Sequence, residues 1–499
     1  MHPSTVPSPT KQALLQPQMA APALCLVSDL QVKIQRLTVI RPEKMRERHS
    51  LFLSNIDQKH AAYVRKFVHI FSAHPGIQFD TIVYMISEAI RIVMTAYDFM
   101  GGRLAFNSVQ TRFEIDCNGE GAPLDVCTSE LSLEELGDVS YPNPAFTQLC
   151  LLSDYANRIL EHEPLVSFQM TRFRCGGFAL GTAINQCLMD GFAVQEFVKN
   201  ITFILTKGEM ALIPDADRTC FKPRNPLQIN YDHLEFLPSS EIHQHTTNFS
   251  PLINRNKDLW CKKMALQNPS KKHVYRLFTL SGKMLEALKM KAEDGGVKHC
   301  TRFMAALAHL WRARTAAMGN INRDDFSTVQ FAVDIRSSNV NQYYIIFQLA
   351  VLRSKVTPPL PREFAGNAAV TAYAKATAKE LQEQPFFELV KRLQQGVERI
   401  TDDYVRSAID WLELHDGVPC VENGFIVTSW SNIMGFGDLE LGGGIKSVYG
   451  GPLVSGYVDI VTFLGHPKDK GGIQISIALE PAPMAKFQKL IETVDGITI

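Results

Sequence analysis

The chain has ten cysteines and fourteen histidines but no Cys-x-x-Cys and no closely spaced Cys/His set. That absence argues against a zinc site and a disulfide framework. Scattered in this way, the thiols read as small buried hydrophobes in a reducing, cytoplasmic compartment. Net charge is also missing, with 51 Lys+Arg against 51 Asp+Glu, so no long-range field favours nucleic acid or an anionic membrane. No run approaches the ~18 apolar residues of a membrane span. The opening segment is rich in Pro, Gln, Ser and Thr and lacks the n-region and apolar h-region of a signal peptide, so residues 1–29 read as a disordered tail.

What is present suits a folded protein: 499 residues, 45% hydrophobic and 20% charged, enough for about two or three domains. Alternation at Val32, Ile34, Leu37 and Val39 predicts an opening strand, and Asn55 and Asp57 predict a turn into a strand at 63–70. Ile82, Ile86, Ala89, Ile90 and Val93 recur at helical spacing up to Gly101-Gly102. A strand over Arg112–Cys117 ends at Asn118-Gly119, and Val166–Phe173 pairs with Gly177–Asn185. After a helix ending near Thr206, a long polar connection at 213–270 separates an N-terminal domain (30–212) from a C-terminal one (271–499). The second half restarts with a strand at 275–280, a helix at 282–291 and a helix at 301–318. Two halves of this kind imply a two-domain α/β or α+β protein with a site between them.

The stretch Gly181-Thr-Ala-Ile-Asn-Gln-Cys-Leu-Met-Asp190-Gly191-Phe192 has the form of an active-site strand end leading through a polar turn into a helix. Other pieces accompany it in order: Leu51-Phe-Leu-Ser-Asn-Ile-Asp-Gln58, Gly102-Arg-Leu104, Phe113-Glu-Ile-Asp-Cys-Asn-Gly-Glu-Gly121 and Thr171-Arg-Phe-Arg-Cys-Gly-Gly-Phe178. Trp311-Arg-Ala-Arg314, Val333-Asp-Ile-Arg336, Phe364-Ala-Gly-Asn367, Tyr404-Val-Arg-Ser-Ala-Ile-Asp410 and Thr428-Ser-Trp430 follow. By these motifs the chain resembles the plant BAHD acyltransferases from Leu30 to Ile491. In wording it is nearest the branch that joins hydroxycinnamoyl groups to ω-hydroxy fatty acids and fatty alcohols.

The resemblance implies an α/β fold of two similar-sized mixed-sheet-plus-helix domains, like chloramphenicol acetyltransferase, with a channel between them. It implies acyl-CoA as cosubstrate, no permanently bound cofactor, a small-molecule alcohol acceptor and a monomer. The family's catalytic signature is His-x-x-x-Asp-Gly, in which His is the general base. Its Asp pairs with an Arg of the second domain, a pair that falls on Asp190 and Arg336. Thr428 and Trp430 match the channel-lining Thr-Ser-Trp that helps hold the tetrahedral intermediate. The second signature, Asp-Phe-Gly-Trp-Gly, falls on Glu440-Leu-Gly442-Gly-Gly444, with a longer acid and without the Trp.

At the position of the catalytic His stands Gln186. A carboxamide has no useful basicity near neutral pH; it can orient a hydroxyl but cannot carry its proton away. Losing a positioned base typically forfeits about 10²–10⁴ in rate. His69, His74, His299 and His309 carry no pattern that places them in the channel, and Cys187, pointing opposite to its neighbour, reads as an inert thiol. Two readings follow. One is an acyltransferase of weak or altered activity. The other is a pseudoenzyme, an accessory or binding protein of wax or cutin lipid metabolism.

Residues 339–357, which contain the uncharged run Tyr343–Leu352, stand where the family passes directly from Val-Asp-x-Arg to Pro-Pro-Leu-Pro. They read either as a buried strand or as an insertion, the latter including sequence retained from a non-coding stretch. If they are retained non-coding sequence, transcripts or tryptic peptides should join Ser338 directly to Pro358. Tryptic peptides from inside the segment exclude that origin.

Overall fold

The computed structural model describes residues 27–494 and 497–498, apart from 62, 140, 142, 151–159, 239–272, 337–355, 416, 422, 432–438 and 454–457. The expected tail up to residue 26, most of the 213–270 connection and the body of the 339–357 insertion therefore lie outside the described residues.

Two six-stranded mixed sheets, each backed by helices, organise the molecule. In the first sheet the order is Val32–Ile40, Ala122–Ser129, Val166–Phe173, Phe178–Asn185, Val64–Phe71 and Ser447–Pro452. Its strands run antiparallel except for the parallel pair Ala122–Ser129 and Val166–Phe173. The helices Phe79–Ala96 and Gly191–Lys207 pack together on it, burying Ile82, Ile86, Ile90 and Val93 of one and Val194, Phe197 and Ile201 of the other. Strand Phe178–Asn185 is buried along its whole length, which explains its lack of polar alternation. At Gly181 a Cβ would lie 1.7 Å from the Leu149 carbonyl oxygen, so only glycine admits the turn Pro144–Leu149 against this strand.

In the second sheet the order is Val274–Leu280, Ile473–Leu479, Ile460–Gly465, Phe425–Ser429, Phe326–Asp334 and Ala369–Thr377. Phe425–Ser429 runs parallel to both of its neighbours. The helix Arg302–Ala317 lies under this sheet among Gly282–Asp294, Phe386–Glu398 and Pro481–Ile491, with Leu307, Leu310 and Trp311 fully enclosed. The Trp311 indole donates to Ser327 Oγ at 3.0 Å, giving its polar edge a partner inside an apolar core.

Two local outcomes refine the sequence reading. The expected turn at 55–57 is a helical turn, Asn55–Gln58, capped reciprocally by Ser54 and Asp57. The strand Arg112–Cys117 joins neither large sheet; it forms a separate three-stranded sheet with His49–Phe52 and Arg103–Asn107. A third feature has no counterpart in the sequence reading. Ser447–Pro452, from the second half of the chain, completes the edge of the first sheet by pairing with Val64–Phe71. An edge is where a strand ending in proline is tolerated.

Candidate functional site

Asp190 is the N-cap of the helix Gly191–Lys207 and is 7% exposed. Its Oδ1 accepts from the Phe192 and Ala193 amides at 3.1 and 3.0 Å and from Arg336 Nη2 at 3.0 Å. Its Oδ2 accepts from Arg336 Nη1 at 2.9 Å and from the Ala368 amide at 2.8 Å. Both oxygens are thus committed to caps and a bidentate ion pair, leaving little capacity for proton transfer. Arg336 also donates to the carbonyls of Phe364 and Gly366 and to Asp334 Oδ1. Burial pulls its guanidinium pKa down, but Asp190 and Asp334 more than offset this and the net shift is upward. Burial pushes the Asp334 carboxyl up; Arg336 draws it back and Asp190 adds to the rise, leaving it raised.

Segment 364–368 is held from a second direction by Asp57, which is fully buried. Asp57 Oδ1 accepts from Asn367 Nδ2 at 2.8 Å, and Asn367 Nδ2 also reaches the Gln186 carbonyl at 2.9 Å. Arg218, likewise fully buried, donates to the Leu188 carbonyl at 2.7 Å and lies 3.5 Å from Asp57. The 186–190 turn is therefore locked to the second half of the chain at both ends. Asp57, Arg218 and Asn367 were missed as site-forming residues from the sequence. Asp57 and Asn367 stand inside motifs that were noticed, but nothing local announces that they meet across 310 positions.

A cavity of ≈ 310 Å³ opens between the two sheets beside this turn, and Gln186, Asp190, Arg336, Thr428 and Trp430 all line it. The Gln186 backbone amide donates to the Tyr63 carbonyl at 2.8 Å, continuing the pairing of Val64–Phe71 with Phe178–Asn185. Gln186 Oε1 accepts from Arg65 Nε at 2.8 Å. The carboxamide, an NH₂ donor and a weakly basic oxygen, has no capacity to take a proton near neutral pH. Across the cavity, Thr428 Oγ1 accepts from the Trp430 indole at 3.2 Å, which leaves the hydroxyl hydrogen available to a ligand oxygen. Trp430 packs on Phe67 with ring centroids 5.1 Å apart, so the second sheet's wall is braced on the first.

Two further cavity-lining residues, Lys59 and His60, follow directly on the Leu-Ser-Asn-Ile-Asp-Gln motif and were also overlooked. The Lys59 ammonium lies over the Phe236 ring at 5.2 Å from its centroid. Burial lowers its pKa to about 8, against the attraction of Glu235 and Asp57. Burial, and then the charges of Lys59 and Arg65, hold the His60 imidazole well below its ordinary pKa and hence neutral.

The second signature is placed differently. Glu440, Gly442 and Gly444 do not line this cavity. Glu440 bridges Lys446 in a tight turn in which Gly442, Gly443 and Gly444 take φ of 79°, 60° and 85°, and Leu441 and Ile445 anchor that turn in the core of the first sheet. His309 Nε2 bonds the Ile491 carbonyl at 2.9 Å and His74 Nδ1 lies 3.3 Å from the Gly76 amide, both local structural contacts; neither these two nor His69 or His299 lines the cavity. Burial pushes the Cys187 thiol pKa well up, so it is not a nucleophile. A Ser–His–acid arrangement does exist elsewhere: His233 lies 2.8 Å from Ser407 Oγ and 2.9 Å from Glu235. All three are 2% exposed or less, which makes them a buried brace rather than a reaction centre.

Comparison with solved structures shows which class this architecture belongs to. Vinorine synthase is similar with a TM-score of 0.67 at 18% identity, over 93% of this chain and 99% of that one. A TRI101 enzyme of F. graminearum, complexed with coenzyme A and T-2 mycotoxin, is similar with a TM-score of 0.65 at 14% identity, over 88% and 97%. The fold is that of two-domain acyltransferases. Residues 30–494 match the Transferase family model, and the chain belongs to that family, the BAHD acyl-CoA-dependent acyltransferases. Among its relatives is the acyltransferase GLAUCE of Arabidopsis thaliana, 34% identical over 94% of this chain and 97% of that protein. Another is the omega-hydroxypalmitate O-feruloyl transferase of the same plant, 29% identical over 92% of each. The fatty alcohol:caffeoyl-CoA acyltransferase, also from that plant, is 28% identical over 88% and 93%.

Asp190→Asn should destabilise the protein by roughly 3–5 kcal/mol in urea unfolding, because Arg336 loses its bidentate buried partner and keeps only Asp334. Stability equal to the parent would show that the pair does not hold the site. Lys59 has a pKa below that of an exposed lysine, so between about 8 and 10.5 the unfolded chain binds more protons and stability rises with pH. Lys59→Met should therefore be more stable than the parent at pH 7, by up to about 3 kcal/mol, and should lack the gain between pH 8 and 10. Unfolding curves at pH 7, 8 and 10 check both statements.

Proposed function

We propose that the protein is an acyl-CoA-dependent O-acyltransferase that passes an acyl group, of the hydroxycinnamoyl class, to a hydroxylated acceptor at reduced efficiency. The observation that carries this reading is the cavity between the sheets. It has an apolar wall, the Thr428 hydroxyl on one side and the turn braced by Asp190 and Arg336 on the other. The acceptor oxygen would attack the thioester carbonyl, with the Thr428 hydroxyl and the Gln186 amide as donors toward developing negative charge on oxygen. The relatives that act on omega-hydroxypalmitate and on fatty alcohols by name favour a long aliphatic acceptor. A monomer in the reducing cytoplasm is part of the same reading. In its support, the eight described cysteines are free thiols.

A second reading, an accessory or binding protein without turnover, draws on one specific observation. The side chain at the position of the base is an amide, and its oxygen already accepts from Arg65.

Purified protein given feruloyl- or acetyl-CoA and a panel of alcohols separates the two. Slow turnover in the native chain, raised about 10²-fold or more by Gln186→His, is the expected result. Turnover seen only in Gln186→His supports the accessory reading. In that variant the new imidazole meets Arg65, so Gln186→His with Arg65→Gln should exceed Gln186→His alone. Native turnover that survives Gln186→Ala would assign proton transfer to another group.

A further inference from the structure

We propose, building on the acyltransferase reading, that His60 is the general base that position 186 does not supply. His60 lines the same cavity as Gln186 and Thr428, and short backbone links bring it there. The Tyr63 amide donates to the His60 carbonyl at 3.0 Å, and the Gln186 amide donates to the Tyr63 carbonyl at 2.8 Å. The two side chains thus rise from adjoining turns of one wall, at the paired ends of Val64–Phe71 and Phe178–Asn185. His60 is itself fixed by its amide, which donates to the Asp57 carbonyl at 2.9 Å.

Chemistry removes most of the charged groups of that wall. Asp190 is saturated by its amides and Arg336. Asp334, whose Oδ1 accepts from the Arg336 amide and Nη1, is the competing carboxylate, and turnover lost in Asp334→Asn but kept in His60→Gln would assign the base to it. Arg65 and Arg336 cannot be deprotonated at working pH, and the Lys59 amine is largely protonated at neutral pH. His60 is the one imidazole lining the cavity among the described residues. Its Nδ1 is sealed from solvent and has no hydrogen-bond partner among the described residues. A buried ring nitrogen left unpartnered in a native site calls for a reason. With the proton on Nδ1, the ring keeps its Nε2 lone pair for a ligand; burial, and after it the cations Lys59 and Arg65, hold the resting ring neutral.

The step balances without any further reactant. The acceptor hydroxyl gives its proton to the His60 ring as its oxygen forms a bond to the thioester carbonyl carbon. The carbon–sulfur bond then breaks, and the leaving coenzyme A thiolate takes the proton from the imidazolium. The products are an ester and free coenzyme A, with His60 neutral again.

The test compares native protein, His60→Gln, His60→Ala and the double variant Gln186→His/His60→Gln, with calorimetric binding of acyl-CoA measured on each. The expected result is a fall in kcat of about 10²-fold or more in His60→Gln, with acyl-CoA affinity retained. Added imidazole should restore part of the rate to His60→Ala, and the double variant should recover turnover by carrying a base at position 186. Native-like turnover in His60→Gln overturns the assignment. So does a loss that neither imidazole nor Gln186→His repairs, because that marks a structural role. Native protein that binds acyl-CoA but does not turn it over removes His60 as a base and leaves the accessory reading. Native protein that neither binds nor turns over acyl-CoA removes both His60 and the transferase reading.

Discussion

The ion pair between Asp190 and Arg336 is the constraint on which the site depends. Each partner is buried, and each is also a hub: Asp190 caps a helix of the first half, and Arg336 holds carbonyls of the 364–368 segment in the second. Neither half could bury its own charge alone without a large penalty. The join is therefore cooperative, and it sets the distance between the two cavity walls. Asp57 and Arg218 repeat the arrangement a few ångströms away with the same segment. Two carboxylates from one side and two guanidiniums spanning the seam leave the 186–190 turn little freedom, whichever residue occupies position 186.

That rigidity explains how the catalytic position can change without loss of the architecture. Gln186 is held by its backbone bonds to Tyr63 and Asn367 and by a side-chain bond to Arg65. None of the backbone bonds asks for an imidazole. The cavity meanwhile keeps a donor at Thr428 and an aromatic wall at Trp430. Binding and orientation are thus separable here from proton transfer: the first belongs to the scaffold, the second to a few side chains.

Much of the scaffold was readable from residue order. The strand–turn–helix around Asp190 and its partnership with Arg336 could be read because both halves sit in short, recognisable motifs. Elements whose periodicity is local, such as Phe79–Ala96 and Arg302–Ala317, were equally visible. What was not visible depends on contacts far apart in sequence. Asn367 meeting Asp57, and the Ser447–Pro452 strand joining the first sheet, have no local periodicity to announce them. Lys59 and His60 were overlooked for another reason. A Lys-His dipeptide after a turn has the look of solvent-facing charge, and only the second sheet closing over it makes it part of a cavity wall. The glycine turn at 442–444, matched to the second signature, serves as the lead-in to the exchanged strand.

That exchanged strand also has a bearing on biosynthesis. A ribosome delivers the first five strands of the first sheet by residue 185, but the strand that covers Val64–Phe71 emerges only after residue 452. For most of translation the nascent chain carries an open sheet edge, with unpaired amides and carbonyls beside a run of apolar side chains. Vectorial folding of the first half on its own is thereby incomplete, and its sheet closes only once residues 447–452 are available. The same dependence ties the first half to a strand that only the second half supplies. Any split of the chain before position 447 would yield an N-terminal fragment that exposes a templating edge.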